Sequence, residues 1–297
     1  MAADSAAPPP VSQAEAEEAS AFRHAPVPAD ATAAYGDHQD QLVDFFRPRP
    51  PRGRDAHPAP LVALLHGGAW RAPYDRTHVS PLAAYLAGHG YAVASVEYRK
   101  GAAADDGAAA GRWPDTFDDV AAAVDALPAL AVEALGADLV DPRRVVLTGH
   151  SAGGQLALWA AARHVLPPES RWHRTSAPPL RGVVALAPIA DFTSAMRMRV
   201  CSDAVIELLG GPDHLTARLP QTDPAALLPT GIPVTIVHGT TDIDVPPQVS
   251  HAFARAAAAA GEEVVTAWLP ATGHFPLIDP SAPAVSVVAD EIAQLAW

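Results

Sequence analysis

Short apolar runs alternate with amphipathic segments along most of this chain. Residues 61–65 are apolar at every position, a pattern typical of a strand that is buried on both faces. Ser80 and Pro81 predict the start of a helix, with Ser80 as its N-cap, and Gly88 and Gly90 predict its end. The same reasoning predicts further elements, namely strands at residues 91–96, 145–148, 182–186, 233–237 and 264–269 and helices around residues 117–127, 154–162, 249–256 and 285–296.

This alternation of strands and helices predicts an α/β fold with a doubly wound, mostly parallel sheet. In such sheets, ligand sites lie beyond the carboxyl ends of the strands. Two irregular stretches, residues 163–179 and 192–229, interrupt the alternation, and loops of that length usually have a function. The second stretch has helical segments of its own, so we expect a small cap-like insertion at about residues 192–230 that could cover a pocket.

The first part of the chain differs from the rest in composition. Residues 1–34 are rich in alanine, proline and glutamate and cannot bury much surface, so we expect a low-complexity tail that is mobile or forms a loosely docked helix. Residues 47–60, rich in proline and arginine, predict a loop between strands. We expect ordered structure to begin near Asp40 and residues 35–297 to form a single domain.

Composition and charge limit the classes of function. The 297 residues include 20 Lys and Arg against 33 Asp and Glu, a net charge of −13, which argues against nucleic acid as a partner because the protein would repel phosphate. The single cysteine, Cys201, can form neither an internal disulfide nor a cysteine-based zinc site, and we expect it to be buried. No apolar run reaches the ~20 residues of a membrane helix. The first 21 residues lack the features of a standard secretory signal, so we expect a cytoplasmic protein with no membrane association.

The strongest functional motif is Gly149-His150-Ser151-Ala152-Gly153, which has the pattern G-x-S-x-G. It follows a predicted strand and precedes a predicted helix, which is the setting of a nucleophile elbow. Small residues are needed there because the turn is tight, and the turn holds the serine oxygen clear of the sheet, at the positive end of a helix. We therefore predict that Ser151 is a catalytic nucleophile.

A serine hydroxyl needs a base to accept its proton, and the base needs an acid to orient it. His274 follows the last predicted strand and has the right place in the chain order Ser–Asp–His, so we predict that it is the base. Asp242 and Asp244 follow the strand at residues 233–237, and Asp191 follows an earlier strand. We favour Asp242 as the acid, with Asp244 and then Asp191 as alternatives.

The negatively charged oxygen of a tetrahedral intermediate needs hydrogen-bond donors. The backbone N–H of Ala152, directly after the nucleophile, is one candidate. Residues 66–70, His-Gly-Gly-Ala-Trp, follow the strand at residues 61–65, and glycines there let the backbone approach an oxyanion. The N–H groups of Gly68 and Ala69 are therefore the other predicted donors.

The two end residues of this loop have other predicted roles. We expect His66 to be structural and hydrogen-bonded within the loop. Trp70 either lines the pocket, as a candidate substrate-binding residue, or packs in the core. No residue cluster with metal-ligand spacing stands out, and no glycine-rich nucleotide-binding motif opens a helix after a strand, so we expect neither a metal nor a nucleotide cofactor.

Four segments in order, at residues 66–70, 149–154, 238–246 and 273–275, resemble the motifs of the α/β-hydrolase superfamily. The resemblance covers roughly residues 40–297. The pair His-Gly-Gly and Ser-Ala-Gly-Gly is similar to the esterase/lipase branch that includes hormone-sensitive-lipase-like enzymes. The pattern His-Gly-Gly-x-Trp is also similar to kynurenine formamidase.

The resemblance implies a serine hydrolase that uses no cofactor and cleaves a small-molecule ester or an activated amide through an acyl-enzyme. In this superfamily the acid is usually the first Asp of His-Gly-x-x-Asp-x-x-Val-Pro, which matches Asp242. A carboxylesterase is the leading expectation, and an arylformamidase is the alternative within the same chemistry. An acyltransferase and a non-catalytic binding protein are further alternatives. Ala69 replaces the third glycine of the common lipase signature, so substrate preferences of that branch are not carried over.

Overall fold

A computed structural model describes residues 11–49, 58–101 and 109–297. Their strands are β1 (Ala31–Ala34), β2 (Leu42–Phe46), β3 (Ala59–Leu65), β4 (Ala92–Val96), β5 (Val140–His150), β6 (Leu180–Leu186), β7 (Val234–Gly239) and β8 (Val264–Leu269). Their α-helices are α1 (Gln13–Phe22), α2 (Ser80–Gly88), α3 (Asp115–Leu135), α4 (Ala152–Ala161), α5 (Phe192–Arg197), α6 (Ala204–Leu208), α7 (Leu215–Thr222), α8 (Gln248–Ala259) and α9 (Ala284–Ala296). Residues 1–10 of the predicted tail and residues 50–57 of the predicted loop lie outside this part of the chain.

The described strands form one eight-stranded sheet in the order β1-β2-β4-β3-β5-β6-β7-β8. β1 and β2 pair in antiparallel fashion, and β2 is also antiparallel to β4. All pairs from β4 to β8 are parallel, which confirms the predicted doubly wound, mostly parallel sheet. Because parallel strands end at the same edge, the segments that follow β3, β5, β7 and β8 meet there.

The core lies on both faces of the sheet, and β3 shows how the sequence divides between them. All seven residues of β3 are buried. Leu61 and Leu65 belong to a cluster that includes apolar residues of α3, α4 and α8. Val62 and Leu64 belong to the opposite cluster, with apolar residues of α2 and α9. The strand therefore needs apolar residues at every position, because successive side chains point into opposite layers that are both buried.

The insertion between β6 and β7 is attached to α4. It contains α5, α6 and α7 together with 3-10 helices at Pro212–His214 and Pro224–Leu227. Trp159 of α4 donates its indole N–H to the carbonyl of Gln221 over 2.8 Å, and the Gln155 side chain donates to the carbonyl of Thr222 over 3.0 Å. The insertion is therefore fixed to the helix that follows the predicted nucleophile.

The N-terminal region has more structure than its composition suggests. The helix α1 and the strand β1 both precede Asp40, so the expectation that ordered structure begins there is wrong. β1 extends the sheet, with Thr32 opposite Asp44 of β2 and its hydroxyl 2.6 Å from that carboxylate. The strand consists of alanine and threonine, whose small side chains give only a weak hydrophobic pattern in the sequence.

The predicted N-cap of α2 is wrong by one residue. Val79 occupies the N-cap position, and Ser80 is the first residue of the helix. The Ser80 hydroxyl donates to the carbonyl of Thr77 over 2.6 Å and accepts the N–H of Val27 over 2.9 Å. It therefore connects the N-terminal segment to α2 instead of capping the helix.

Candidate active site

The predicted nucleophile lies in a strained turn between β5 and α4. Ser151 has φ 55° and ψ −117°, a backbone conformation that residues other than glycine rarely adopt. Its N–H donates to the carbonyl of Leu186 over 2.8 Å, which holds the turn against β6. Strain at one residue that its neighbours fix in place is typical of a functional position.

Glycines on either side of Ser151 allow this turn to pack closely. A Cβ at Gly149 would lie 2.3 Å from the carbonyl oxygen of Gly153, and a Cβ at Gly153 would lie 2.1 Å from the carbonyl oxygen of Leu65. Both contacts are with backbone atoms, so a side chain at either position would force the elements apart. The motif therefore needs glycine because α4 begins directly against the sheet.

Asp242 and His274 meet beyond the ends of β7 and β8. His274 Nδ1 lies 2.6 Å from Asp242 Oδ2, a short charge-assisted hydrogen bond in which the ring N–H donates. The other carboxylate oxygen accepts the N–H groups of Asp244 and Val245, each over 2.9 Å. Both Asp242 and His274 are buried. The bond on Nδ1 leaves Nε2 of His274 as the nitrogen that can accept a proton.

The environment of Asp242 keeps its carboxyl ionised. Burial alone would raise its pKa, but the charge of His274 and the hydrogen bonds from His238 and His274 hold that pKa well below its ordinary value. His238 Nε2 lies 3.3 Å from Asp242 Oδ2. An ionised, oriented carboxylate of this kind fixes the imidazole tautomer and stabilises the imidazolium that forms when the base is protonated.

The two alternative acids occupy other places. Asp191 is the N-cap of α5, where its carboxylate accepts the N–H of Ser194 over 2.6 Å. The side chain of Asp244 faces the cavity in front of Ser151 and His274. Among the three candidates, Asp242 is the one bonded to His274.

Gly68 and Ala69 both line the same cavity. Gly68 has φ 101° and Ala69 has φ 51°, so the chain makes a left-handed turn there. A Cβ at Gly68 would lie 2.3 Å from the Cβ of Tyr74, which explains the glycine at this position. The third predicted donor, Ala152, is the first residue of α4, and the first N–H groups of a helix have no partner within it.

A buried charge network lies behind this loop. His66 Nε2 lies 3.0 Å from Glu97 Oε1, and its Nδ1 lies 2.8 Å from the carbonyl oxygen of Gly67, as expected for a structural residue. Glu97 also accepts hydrogen bonds from Lys100 and from the N–H of Arg76. Although burial opposes ionisation, His66 and Lys100 hold the pKa of Glu97 well below its ordinary value. The network therefore fixes the conformation of the loop that carries the predicted donors.

Trp70 packs in the core instead of lining the cavity. Its side chain is fully buried, and its ring meets that of Phe192 edge-on at 6.1 Å between centroids. Its carbonyl accepts the N–H groups of Gly101 and Gly111 over 3.0 and 2.8 Å. Of the two roles predicted for Trp70, the structure therefore shows core packing, and the side chain does not bind substrate in this cavity.

The cavity in front of Ser151 has a volume of about 230 Å³. Its wall also includes residues to which the sequence motifs gave no place in a pocket, which are Phe22, Arg71, Tyr74, His78, His150, Cys201, Ser202, Asp244 and Phe275. The prediction that Cys201 is buried is only partly correct, because its side chain is partly exposed in this wall. The burial that remains raises its pKa to about 11. Cys201 and Ser202 come from the insertion and Phe22 from α1. Distance in sequence is the reason that no local pattern could identify them.

Two histidines in this wall are uncharged at neutral pH. Burial lowers the pKa of His78 to about 4 and that of His150 well below its ordinary value. His150 Nε2 donates to the carbonyl oxygen of His274 over 3.1 Å, and the two rings lie 4.3 Å apart. His150 therefore braces the predicted base. Within the described ranges, no group of three His, Cys, Asp or Glu side chains could hold a metal ion.

A parallel sheet with the serine after its central strand and the aspartate and histidine after later strands defines an α/β-hydrolase fold. The chain belongs to the BD-FAE family, whose model matches residues 48–256. This match includes Ser151 and Asp242 but ends before His274 and begins after α1.

Curated relatives agree with this assignment. The chain is 27% identical over 229 residues to the probable isoprenylcysteine α-carbonyl methylesterase of Oryza sativa subsp. japonica, with 74% of this chain and 51% of that protein covered. It is 28% identical over 244 residues to the probable carboxylic ester hydrolase LipM of Mycobacterium tuberculosis, with 78% and 53% covered. The chain thus spans about half the length of the curated relatives it matches.

Solved structures share the fold. Esterase B from Lactobacillus rhamnosis superposes with a TM-score of 0.72 at 22% identity, over 95% of this chain and 90% of that one. A truncated carbohydrate esterase from gut microbiota gives a TM-score of 0.71 at 19% identity, over 92% and 99%. No helix in the described part of the chain has both the length and the apolar composition needed to cross a membrane.

Proposed function

We propose that this protein is a serine hydrolase that cleaves a small carboxylic ester through an acyl-enzyme. The observation that carries the proposal is the 2.6 Å bond between Asp242 and His274, together with the place of His274 in the wall of the cavity that the strained Ser151 also lines. Such a bond activates a histidine as a base, and a serine in an elbow is placed for attack. The names of the two curated relatives, both ester hydrolases, support the same chemistry.

The reaction then proceeds in two halves. Nε2 of His274 accepts the proton of Ser151 as its Oγ attacks the acyl carbon, and then gives that proton to the departing alcohol. Water attacks the resulting acyl-enzyme, with His274 again as the base, and the acid product leaves. Asp242 keeps Nδ1 protonated throughout and stabilises the charged imidazole.

The oxyanion that forms in each half is stabilised by the N–H groups of Gly68, Ala69 and Ala152. A donor that is already fixed in place costs no reorganisation during the reaction, and removing one such donor costs about 3–4 kcal/mol in a well-studied protease. The charge network of His66 and Glu97 contributes by holding the loop of Gly68 and Ala69 rigid. The small cavity volume favours a short acyl group.

Steady-state hydrolysis of p-nitrophenyl acetate, butyrate and octanoate tests the proposal, with N-formylkynurenine as a formamide and Ser151→Ala as the control. We expect Ser151-dependent hydrolysis that falls with acyl length. Ester hydrolysis that persists in folded Ser151→Ala protein would contradict the proposal. Cleavage of the formamide with weak ester activity would instead favour an arylformamidase, and product analysis with a competing alcohol would detect acyl transfer.

A further inference from the structure

Asp244 is a charged residue of the cavity wall that the proposed reaction does not use. Its backbone N–H donates to Oδ1 of Asp242 over 2.9 Å, so its position is fixed beside the proposed acid. Its side chain is half-buried and lines the cavity. No described residue donates a hydrogen bond to its carboxylate, and burial raises its pKa. Burying a carboxylate without a partner costs free energy, so a cation that bound beside Asp244 would recover part of that cost.

The other ionisable groups of the wall do not balance this charge. Arg71 is engaged elsewhere: its Nη2 lies 3.2 Å from Glu207 Oε2, and its Nη1 donates to the carbonyl of Cys201 over 2.9 Å. His78 and His150 are neutral, since burial lowers the pKa of each. The charged groups that act on Asp244 are His274 and Asp242, which already form a pair with each other. The cavity therefore has a local excess of negative charge.

Aromatic rings form another part of the wall. Phe22 of α1 packs against Tyr74 and Phe275, with centroids 6.1 and 5.4 Å apart. Tyr74 and Asp244 line the same cavity, and burial together with the charges of Glu18 and Asp244 raises the pKa of Tyr74. Ring faces attract cations, and the attraction is strongest where water is excluded.

We propose that this cavity selects small esters whose alcohol part carries a quaternary ammonium group, with Asp244 as the counter-charge and Phe22, Tyr74 and Phe275 as the aromatic wall. This inference rests on the proposed ester hydrolysis and names the substrate class of the same site. A cation in this position lies beside a carboxylate with no other partner, while its methyl groups cover apolar ring surface. The volume of about 230 Å³ limits the substrate to a short acyl chain and a small alcohol.

A pair of isosteric esters tests the inference. Acetylcholine and 3,3-dimethylbutyl acetate have the same shape and the same acyl group, but the first carries a charge where the second has a neutral carbon. The measurement is kcat/KM for each ester, from titration of the acetic acid released, in the wild type, in Asp244→Asn and in Asp213→Asn. Asp213 is an exposed carboxylate of the insertion that does not line the cavity, so it is the matched control.

The decisive quantity is the ratio of the two kcat/KM values, because the ammonium group also makes choline a better leaving group. We expect the ratio to favour acetylcholine and to fall about tenfold in Asp244→Asn, while Asp213→Asn keeps the wild-type ratio. A ratio that changes less than about twofold in Asp244→Asn would overturn the inference. A wild-type preference for the neutral ester would also overturn it, since Arg71 would then dominate the field of the cavity.

Binding of the free alcohols separates failure of this inference from failure of the proposed function. Calorimetric titration with choline and with 3,3-dimethylbutanol needs no turnover. Binding of choline that Asp244→Asn weakens about tenfold would support the cation site at Asp244, and an accompanying lack of ester hydrolysis would count against the proposed function alone. Ester hydrolysis with no difference between the two alcohols, in the wild type or in Asp244→Asn, would leave the proposed function standing and overturn the inference.

Discussion

Asp242 and Asp244 stand two positions apart on one loop, yet their surroundings give them different chemistry. Asp242 is buried and holds His274 over 2.6 Å. Asp244 is half-buried, and its carboxylate faces the cavity. Both lie after β7 in the sequence, and the structure distinguishes them by which one bonds to the histidine.

Substitution of these two residues should therefore have unequal effects on the hydrolysis of a neutral ester. Asp242→Asn keeps the shape but disturbs the tautomer of His274, and we expect kcat for p-nitrophenyl acetate to fall by roughly 10³–10⁴. Asp244→Asn should cost far less, because its carboxylate contacts neither Ser151 nor His274 through a hydrogen bond among the described residues. A larger loss in Asp244→Asn than in Asp242→Asn would move the acid to position 244.

The order of residues along the chain was enough to predict catalytic residues that lie in the segments after predicted strands. Ser151, Asp242 and His274 could be proposed because each stands after a strand that the hydrophobic pattern predicts. Trp70 could not be assigned, because a tryptophan after a strand can point to solvent or to the core, and its contact with Phe192 arises only from packing. Phe22 could not be identified, because α1 reaches the cavity only in the folded chain.

The insertion contains a buried acid whose titration should affect stability. Asp223 is 6% exposed, and its carboxylate accepts the N–H groups of Phe192 and Ala225 over 3.2 and 3.1 Å. Burial raises its pKa to about 7, and the charge of Asp191 adds to this effect, although the hydrogen bonds from Phe192 and Ala225 oppose it. An acid with a raised pKa favours the folded state when protonated, so its contribution is lost as the pH rises toward and through 7.

Asp223→Asn keeps an acceptor for the two N–H groups and removes the charge. Between pH 5 and pH 8 the wild type should therefore lose about 2–3 kcal/mol of unfolding free energy relative to Asp223→Asn. Urea unfolding at both pH values measures this difference, with Asp213→Asn as an exposed control. Equal pH dependence in wild type and Asp223→Asn would show that this carboxyl does not titrate in the folded protein with a raised pKa.

Elements with a strong apolar pattern were predictable, and those fixed by contacts with other segments were not. β8 occupies residues 264–269 as predicted, because its run of β-branched and apolar residues stands between the charged Glu263 and Pro270. β1 consists of alanine and threonine and becomes a strand only by pairing with β2. α1 has one buried residue, Ala21, so its position depends on the ring contacts of Phe22 and on polar contacts with distant segments, which no periodicity reveals.

Those polar contacts tie the N-terminal helix to the loop that carries the proposed base. Gln13 donates its side-chain N–H to the carbonyl of Ala271 over 2.9 Å. The buried Asp279 accepts the Ser20 hydroxyl over 2.5 Å and lies 2.8 Å from Nε2 of His24. Although burial opposes it, hydrogen bonds from Ser20 and other donors hold the pKa of Asp279 at about 2. The first described helix and the last part of the chain thus stabilise each other.

Removal of this carboxylate should loosen the whole N-terminal segment. We expect Asp279→Ala to lower the free energy of unfolding by about 3 kcal/mol, because several charge-assisted hydrogen bonds are lost at a buried position. Urea unfolding measures the effect, and Asp213→Ala is the exposed control. A loss of less than about 0.5 kcal/mol, the range of ordinary surface substitutions, would show that α1 is not held in this way.

Covalent labelling tests the proposal that Ser151 is an activated nucleophile. An alkyl fluorophosphonate, which reacts with activated serines, is incubated with the native protein, and the modified peptide is identified by mass spectrometry. We predict one label per molecule, on the peptide that contains Ser151, with no label in Ser151→Ala and much slower labelling in Asp242→Asn. Native protein that stays unlabelled, or a label that persists in Ser151→Ala, would show that Ser151 is not an activated nucleophile.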